Sequence, residues 1–526
     1  MARISLRRII SGPVNGRVPL ALLLLAIAGC FVLTFHYEYE PWRRFAEERG
    51  LWRGVLDSGV NRGLSEGRTR KLDCGEFGVP ELPLPPFWGS GDYRGFPEPQ
   101  HGSYDVFGLS STTCMSSKVR YSPYTSANTS PSNGRLPWQR DDVDFARLQR
   151  QRAASNPESN AARDQQRSRT AVVLRAWDGF EWTDDDIRNA RALVVELALF
   201  SAGKYELFIL LHVRDASDAL PKLNENLEDV KLRFVPPAFV NMTELWTYAD
   251  VEAAYPEVGE YDVYYHTFMP VQLFVARHPE FDFVWNWEMD VRYTGHYGEL
   301  FSAVTRWADK QPMKGLLERN ARFYIPSYHG SYEHYANVAT AAEVRPSTPT
   351  PWITADLDPH NREDESEADL ITFFPIFDTS KTAWPHKGYV VNFQHERPEQ
   401  RYASVGTNVR LSRTMLEMMH HENMAGRAMM SEMWTPTLAF HHGLKAVYVP
   451  HPIFLDRQWP AQYMQKTFNG GRGGQVGGSK GSVISHERDF EGSTWYWNSR
   501  FPLQIYKRWL GQAEKGPGSS KVRCEL

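Results

Sequence analysis

The sequence predicts an α/β domain with a central, mostly parallel sheet flanked by helices, on three observations. Ala171-Val172-Val173-Leu174-Arg175-Ala176-Trp177 and Glu206-Leu207-Phe208-Ile209-Leu210-Leu211-His212-Val213 are short apolar runs, as strands buried on both faces are. Between them Ile187, Ala190, Val194 and Leu197 recur at helical spacing. Strand, helix, strand is the order that a parallel crossover requires. A third run, Phe281-Asp282-Phe283-Val284, leads into Trp285-Asn286-Trp287-Glu288-Met289-Asp290-Val291 and reads as one buried strand.

The 526 residues carry a formal charge of −4, far too neutral for a nucleic-acid binder, and no zinc-finger or helix-turn-helix signature is present. Hydrophobic residues make 42% and aromatic residues 13%, ample for a large core. The 17 Trp and 24 Tyr also suit sugar-handling clefts, where polar-tipped rings are useful. Residues 18–35, VPLALLLLAIAGCFVLTF, hold no charge and would reach roughly 27 Å as a helix, enough for a thin bilayer core. Arg3, Arg7, Arg8 and Arg17 precede them. Residues 1–17 are therefore expected as a cytosolic tail, 18–35 as one signal anchor through the lipid bilayer, and the remainder as lumenal. A cleaved signal peptide is the alternative, and it places the body in the same secretory pathway. The sequons at Asn128 and Asn241 are compatible with that placement. Cys74, Cys114 and Cys524 allow one disulfide with one cysteine left over; a Cys74–Cys114 bridge would tie the stem together.

Residues 36–125 read as a charged stem followed by irregular chain rich in Gly, Pro and aromatics, and 126–168 as a low-complexity linker. The body is expected over 169–512, with a tail at 513–526. After the first strand, Thr183 followed by Asp184, Asp185 and Asp186 marks a helix start, a capping hydroxyl and then acids at the amide end. The chain then reads as a short strand at 231–235, helices over 252–256 and 261–278, the strand over 281–291 and a helix over 301–320. Residues 323–326 and 370–374 read as strands separated by a loop-rich stretch. Residues 408–430 and 432–441 read as helices, 445–449 as a last buried strand, and 469–482 as a glycine-rich loop. The aromatic segment 495–509 is expected to pack back on the body.

The chemistry concentrates where the 281–291 strand ends. Side chains alternate along a strand, so Asn286, Glu288 and Asp290 would share one face. Two carboxylates at the mouth of a buried strand are costly unless a cation sits between them. A divalent ion, Mn²⁺ or Mg²⁺, carrying a phosphorylated substrate takes such oxygens. The pair is too close to flank a sugar ring as general acid and base; the plain alternatives are solvated acids or an ion pair with Arg292. His451 follows the last strand, where ligands collect in such sheets, and its imidazole could complete the metal site. His386, His395, His441 and His442 compete with it, and a structural histidine is the plain alternative. Glu432, at a helix start, is a candidate to accept a proton from an acceptor hydroxyl or to hold the donor sugar; capping the helix is its plain alternative. Arg175 and Asp215, at the first two strand tips, are candidates to meet a nucleotide's base and ribose. Gly474-Gln475-Val476-Gly477-Gly478-Ser479-Lys480 lacks the order of a P-loop. Arg472 or Lys480 would approach a diphosphate if this loop acts as a lid, with plain disorder the alternative.

With the anchor, the stem and the α/β body, this E-x-D strand end resembles the acidic motif, usually D-x-D, of Golgi glycosyltransferases of the GT-A type. That resemblance implies a central twisted sheet, Mn²⁺ and a nucleotide-sugar donor. The segment from Trp287 to Arg292 is similar to the E-P-D-V motif of the fungal α-1,2-mannosyltransferases, with Met289 replacing the proline. It implies Glu288 as a metal ligand, Asp290 as its partner near the donor and His451 as the late metal-binding histidine, although the Tyr-His-His ending is here Tyr448-Val449-Pro450-His451. A longer match joins WEMDVRYTGHY, Trp287 to Tyr297, with Ser431-Glu432-Met433-Trp434 and His441-His442-Gly443-Leu444-Lys445-Ala446-Val447. It resembles a fungal family of uncharacterised single-pass membrane proteins over about residues 75–125 and 165–510, which implies membership and no activity.

The expected function is a metal-dependent glycosyltransferase held in the Golgi or endoplasmic reticulum membrane. It would move a sugar from a nucleotide-sugar, GDP-mannose or a UDP-sugar, to a glycan or glycoprotein acceptor. A non-catalytic lumenal glycan-binding or scaffold protein of the same fold is one alternative. A metal-dependent hydrolase is another, and no H-E-x-x-H or similar cluster supports it.

Overall fold

The two apolar runs form strands β1 (Thr170–Trp177) and β2 (Tyr205–His212), parallel and paired from Thr170↔Tyr205 to Trp177↔His212. Helix α1 (Asp184–Leu193) connects them. Its start is fixed as the sequence suggests, with Thr183 and Asp186 exchanging side chain-to-backbone hydrogen bonds in a capping box. The helix continues as a π-helical stretch, Val194–Leu199. The computed structural model describes residues 99–109, 142–154, 169–201, 203–221, 225–341, 366–393, 400–455, 459–476 and 500–510, with a few isolated positions between them. All of these lie in one unit that begins at Glu66.

Five more strands complete the sheet: β3 (Thr243–Trp246), β4 (Phe283–Glu288), β5 (Leu370–Thr372), β6 (Val409–Ser412) and β7 (Ala446–Tyr448). The order is β7-β5-β6-β4-β1-β2-β3. Strand β6 runs antiparallel to both β4 and β5. The sheet is therefore mixed, which corrects the expected mostly parallel GT-A-like sheet. Several local expectations are corrected with it. Residues 231–235 are not a strand, because Asn226 and Asp229 form a capping box that starts a helix at Leu227–Leu232. The 408–430 stretch begins as β6 before turning helical, and the 327–366 stretch contains helix Tyr332–Ala341.

Alternation along β4 divides the core into two faces. Val284 packs with Ala171 and Val173 of β1 against helices α2 (Met269–Arg277), α4 (Arg413–Met424) and α5 (Ser431–His441). Trp285 and Trp287 point the other way, onto Phe301 of α3 (Tyr297–Asp309), with ring centroids 4.6 and 5.0 Å apart. The C-terminal aromatic segment forms α6 (Arg500–Trp509), which docks with Phe501 and Trp509 buried.

Among the described residues no helix is long and apolar enough to cross a membrane, and the expected span at 18–35 lies outside them. The bilayer-anchored placement in the Golgi or endoplasmic reticulum thus has no helix to rest on among the described residues, and it is set aside. A short ribbon pairs Leu72–Asp73 with Thr113–Cys114; Cys74 lies outside the described residues.

Candidate functional site

The strand order reverses between β1 and β4: β1 leads outward through β2 to β3, and the chain then returns to place β4 on the other side of β1. At such a switch point the loops leaving the strands' carboxyl ends diverge and leave a crevice. Here a cleft of 590 Å³ opens at that position, and Arg175, Glu288, Asp290 and Glu432 all line it. Four of the residues singled out from the sequence therefore meet in one cavity.

Arg175 and Glu288 lie opposite one another across the parallel β1–β4 pair. Arg175 Nη2 donates to Glu288 Oε1 at 2.9 Å and to Thr407 Oγ1 at 2.8 Å. The Thr407 hydroxyl in turn donates to Glu288 Oε1. Asn408 completes the grip: its Nδ2 donates to Glu288 Oε2 at 3.2 Å, and its Oδ1 accepts from the Glu288 backbone N–H at 2.8 Å. Asn286, fully buried on the same β4 face, holds the Thr407 carbonyl at 2.6 Å. Each of these ties between the loop 405–408 and β4 uses at least one side chain. Gly406 makes this possible, since its φ of 91° lies in the region that side chains avoid and its N–H donates to Glu432 Oε1 at 2.6 Å. Glu432 is placed by α5, whose first turn it occupies.

Asp290 differs from the expectation. Strand β4 ends at Glu288, and Met289–Asp290 form a turn, so the two acids do not share a strand face. Arg292 does not seal them either. It folds back to donate to the carbonyls of Met289 (2.5 Å) and Val291 (3.1 Å), and ion-pairs with Asp185 (2.9 Å) and Asp186 (2.6 Å) at the start of α1. Among the described residues no other side chain hydrogen-bonds or ion-pairs with Asp290. Withdrawal from bulk water and the neighbouring Glu288 charge raise its pKa. One carboxylate is committed and the other is available.

The walls are aromatic. His212, at the tip of β2, stacks on Trp246 of β3 with centroids 4.1 Å apart and planes 14° from parallel. Burial lowers the His212 pKa to about 4, so it presents a neutral ring. Trp177 stands beside them, 46% exposed. Across the cleft Tyr264 OH meets His386 Nε2 at 3.1 Å.

Two candidates fall elsewhere. His451 packs edge-on against Phe373, 5.4 Å away, and Phe373 packs against Trp287. It therefore sits on the tryptophan face of β4, opposite Glu288, which corrects the expected histidine ligand. Asp215 is exposed in the turn after β2, where its Oδ1 accepts from the Ser217 hydroxyl and N–H. Lys480 lies outside the described residues. Among the described residues no group of three or more His, Cys, Asp or Glu is placed to hold a metal ion. Both Glu288 oxygens are also engaged, so the residues do not fit a resident manganese centre. Asn286 is on the Glu288 face, as strand alternation suggests; the sequence does not single out Thr407, Asn408, His212 and Trp246 as site residues, and the turn triplet Gly406-Thr407-Asn408 ahead of an apolar run is the available signal.

No curated protein and no solved structure matches the chain. The expected kinship with GT-A glycosyltransferases and α-1,2-mannosyltransferases is corrected, and it lends no support to the transferase, membrane and manganese labels drawn from it. A family model described as protein of unknown function (DUF3405) matches residues 106–525. Since that match spans most of the sequence, the chain belongs to the family of proteins of unknown function called DUF3405.

Proposed function

We propose that the switch-point cleft binds a nucleotide-sugar and moves its sugar to a hydroxyl of a glycan or glycoprotein acceptor. The observation that carries this reading is the uncommitted Asp290 carboxylate in one aromatic-walled cavity with Arg175, Glu288 and Glu432. The stacked His212 and Trp246 offer a flat, neutral surface for a base or a sugar face. Glu288 works indirectly, holding Arg175 and the 405–408 loop in place. Glu432, fixed by the Gly406 N–H, is the group to accept the acceptor hydroxyl's proton as the new glycosidic bond forms and the bond to the diphosphate breaks. Three carboxylates, Glu288, Asp290 and Glu432, and two guanidiniums, Arg175 and Arg214, line the cleft; Arg214 is already ion-paired with Asp178, so the lining disfavours a bare diphosphate. In this reading a divalent ion, Mg²⁺ or Mn²⁺, arrives with the diphosphate as part of the substrate.

The test is donor turnover by the full chain. GDP-mannose and a set of UDP-sugars are each incubated with Mg²⁺ or Mn²⁺ and a mixed glycan acceptor, and release of nucleoside diphosphate is followed. Acceptor-dependent release that Glu432→Gln cuts by about a hundredfold supports transfer. Acceptor-independent release would point instead to hydrolysis. The complete engagement of Glu288 favours one further reading, a cleft that binds glycans without catalysis, and this predicts sugar binding with no release from any donor.

A further inference from the structure

We propose that the protein carries a second carbohydrate site, separate from the switch-point cleft, that takes a neutral oligosaccharide. A cavity of 670 Å³ lies between the segment 99–106, the start of helix Tyr332–Ala341 and helix Ala461–Phe468. It shares no lining residue with the first cleft. Tyr324, Tyr332 and Trp459 present rings to it, and these rings are braced from behind. Tyr332 packs on Trp307 and Tyr335 at 5.7 and 5.5 Å, and Trp459 on Phe468 at 5.5 Å. One further aromatic side chain extends the surface beside it: Tyr463, 57% exposed, lies 5.2 Å from Trp459.

Exposed rings of this kind cost solvation unless a ligand with an apolar face covers them. The polar groups define that ligand further. Asp105 is the one charged residue among the described residues that line the cavity, which disfavours phosphates and other anions and suits a pair of sugar hydroxyls donating to one carboxylate. Ser103 lies beside it, its Oγ accepting from the Asp105 N–H at 3.1 Å. Rigid rings with a few convergent polar groups are the makings of a small-molecule site, and a pyranose has the matching alternation of C–H faces and hydroxyl edges.

The wall is also built to hold its shape. The segment carrying Gln100 to Ser103 is fastened to the chain after β7 by Ser103 N–H to the Pro450 carbonyl (3.0 Å) and Ile453 N–H to the His101 carbonyl (2.9 Å). A Cβ on Gly102, whose φ is 66°, would lie 2.0 Å from the His451 carbonyl oxygen. Only glycine permits that approach. The backbone carbonyl of His451, and not its imidazole, is what meets this wall.

The test is saturation-transfer NMR on the full chain with mannose, glucose and galactose trisaccharides, in the presence of saturating UDP and Mg²⁺. Binding of at least one trisaccharide is expected to weaken tenfold or more in Asp105→Asn and in Tyr463→Ala, two solvent-facing changes that leave the fold intact. It is expected to be unchanged in Asp290→Asn. Absence of binding by the parent protein, or binding indifferent to both the Asp105 and Tyr463 changes, overturns the proposal. Loss in Asp290→Asn instead would assign the sugar to the first cleft and equally overturn it. Failure of donor turnover alone leaves this outcome unaffected.

Discussion

Arg175 at the tip of β1 donates to Glu288 at the tip of β4 across 2.9 Å, at the point where the order of the sheet reverses. Both side chains are less than one third exposed, and Thr407 touches both. The pair shapes the cleft by clamping two strands and a loop together, leaving Asp290 to face the cavity.

The clamp should behave as one unit. Arg175→Met and Thr407→Val are each expected to cost about 1–2 kcal/mol. The double variant should cost clearly less than their sum, because each change removes a partner of the other. Unfolding monitored by tryptophan fluorescence in urea measures all three, and simple additivity would show the contacts to be independent.

Asp290 should trade stability for binding. Its pKa is raised in the folded protein, so the folded state prefers the protonated acid, and ionisation at neutral pH weakens the fold. That component of stability is present below the usual carboxylate pKa of 3.8 and is lost as pH rises through the higher folded value. Asp290→Asn is therefore expected to raise the unfolding midpoint at pH 7, with the gain vanishing as pH falls below 4. A midpoint lowered at pH 7 would show that the carboxylate is stabilised by contacts instead.

How much of this could be read from the chain depends on where the determining contacts lie. Strands β1 and β2 are buried on both faces and announce themselves as apolar runs; the Thr183 cap is equally local. Strand β6 is Val409-Arg410-Leu411-Ser412, followed at once by a helix that Ser412 caps. It is a strand because β4 and β5 pair with its two edges, and no local pattern conveys that. The same holds for the site. Glu288 and Arg175 were visible as strand tips, but that they bond to each other follows from register. Asp290 left the strand because Arg292 pulls the Met289 and Val291 carbonyls into a turn. His451 was misplaced because the side of the sheet it would reach could not be inferred from strand order alone.

Arg292 ties that turn to the start of α1 through four hydrogen bonds, two to carbonyls of the turn and two to the carboxylates of Asp185 and Asp186, and a lysine cannot reproduce a planar fork. Arg292→Lys is expected to lose about 2 kcal/mol and to weaken any ligand that contacts Asp290. Tyr506 of α6 braces the same place, donating to Asp185 at 2.9 Å and accepting from the Tyr121 hydroxyl at 2.7 Å. Tyr506→Phe should therefore cost about 1 kcal/mol. Thermal unfolding and ligand titration on both variants check this. Full ligand affinity in Arg292→Lys would show that the turn is held without it.

Away from the cleft, His278 lies between Glu244 (2.6 Å) and Glu280 (3.0 Å). Burial opposes its charge, but the two carboxylates outweigh that and raise its pKa to about 9. A raised value means stability fully present below pH 6.5 and lost as pH climbs through about 9. His278→Gln should flatten the stability profile over that window. An unchanged slope would place the histidine outside the ion cluster.

The most direct measurement is calorimetric titration of the full chain with UDP and with GDP in the presence of Mg²⁺, compared with Asp290→Asn. Saturable binding of one nucleotide to the parent protein, weakened at least tenfold by the substitution, is the predicted result. Equal affinity for both proteins, or no binding of either nucleotide, would contradict the assignment of this cleft to a nucleotide-sugar.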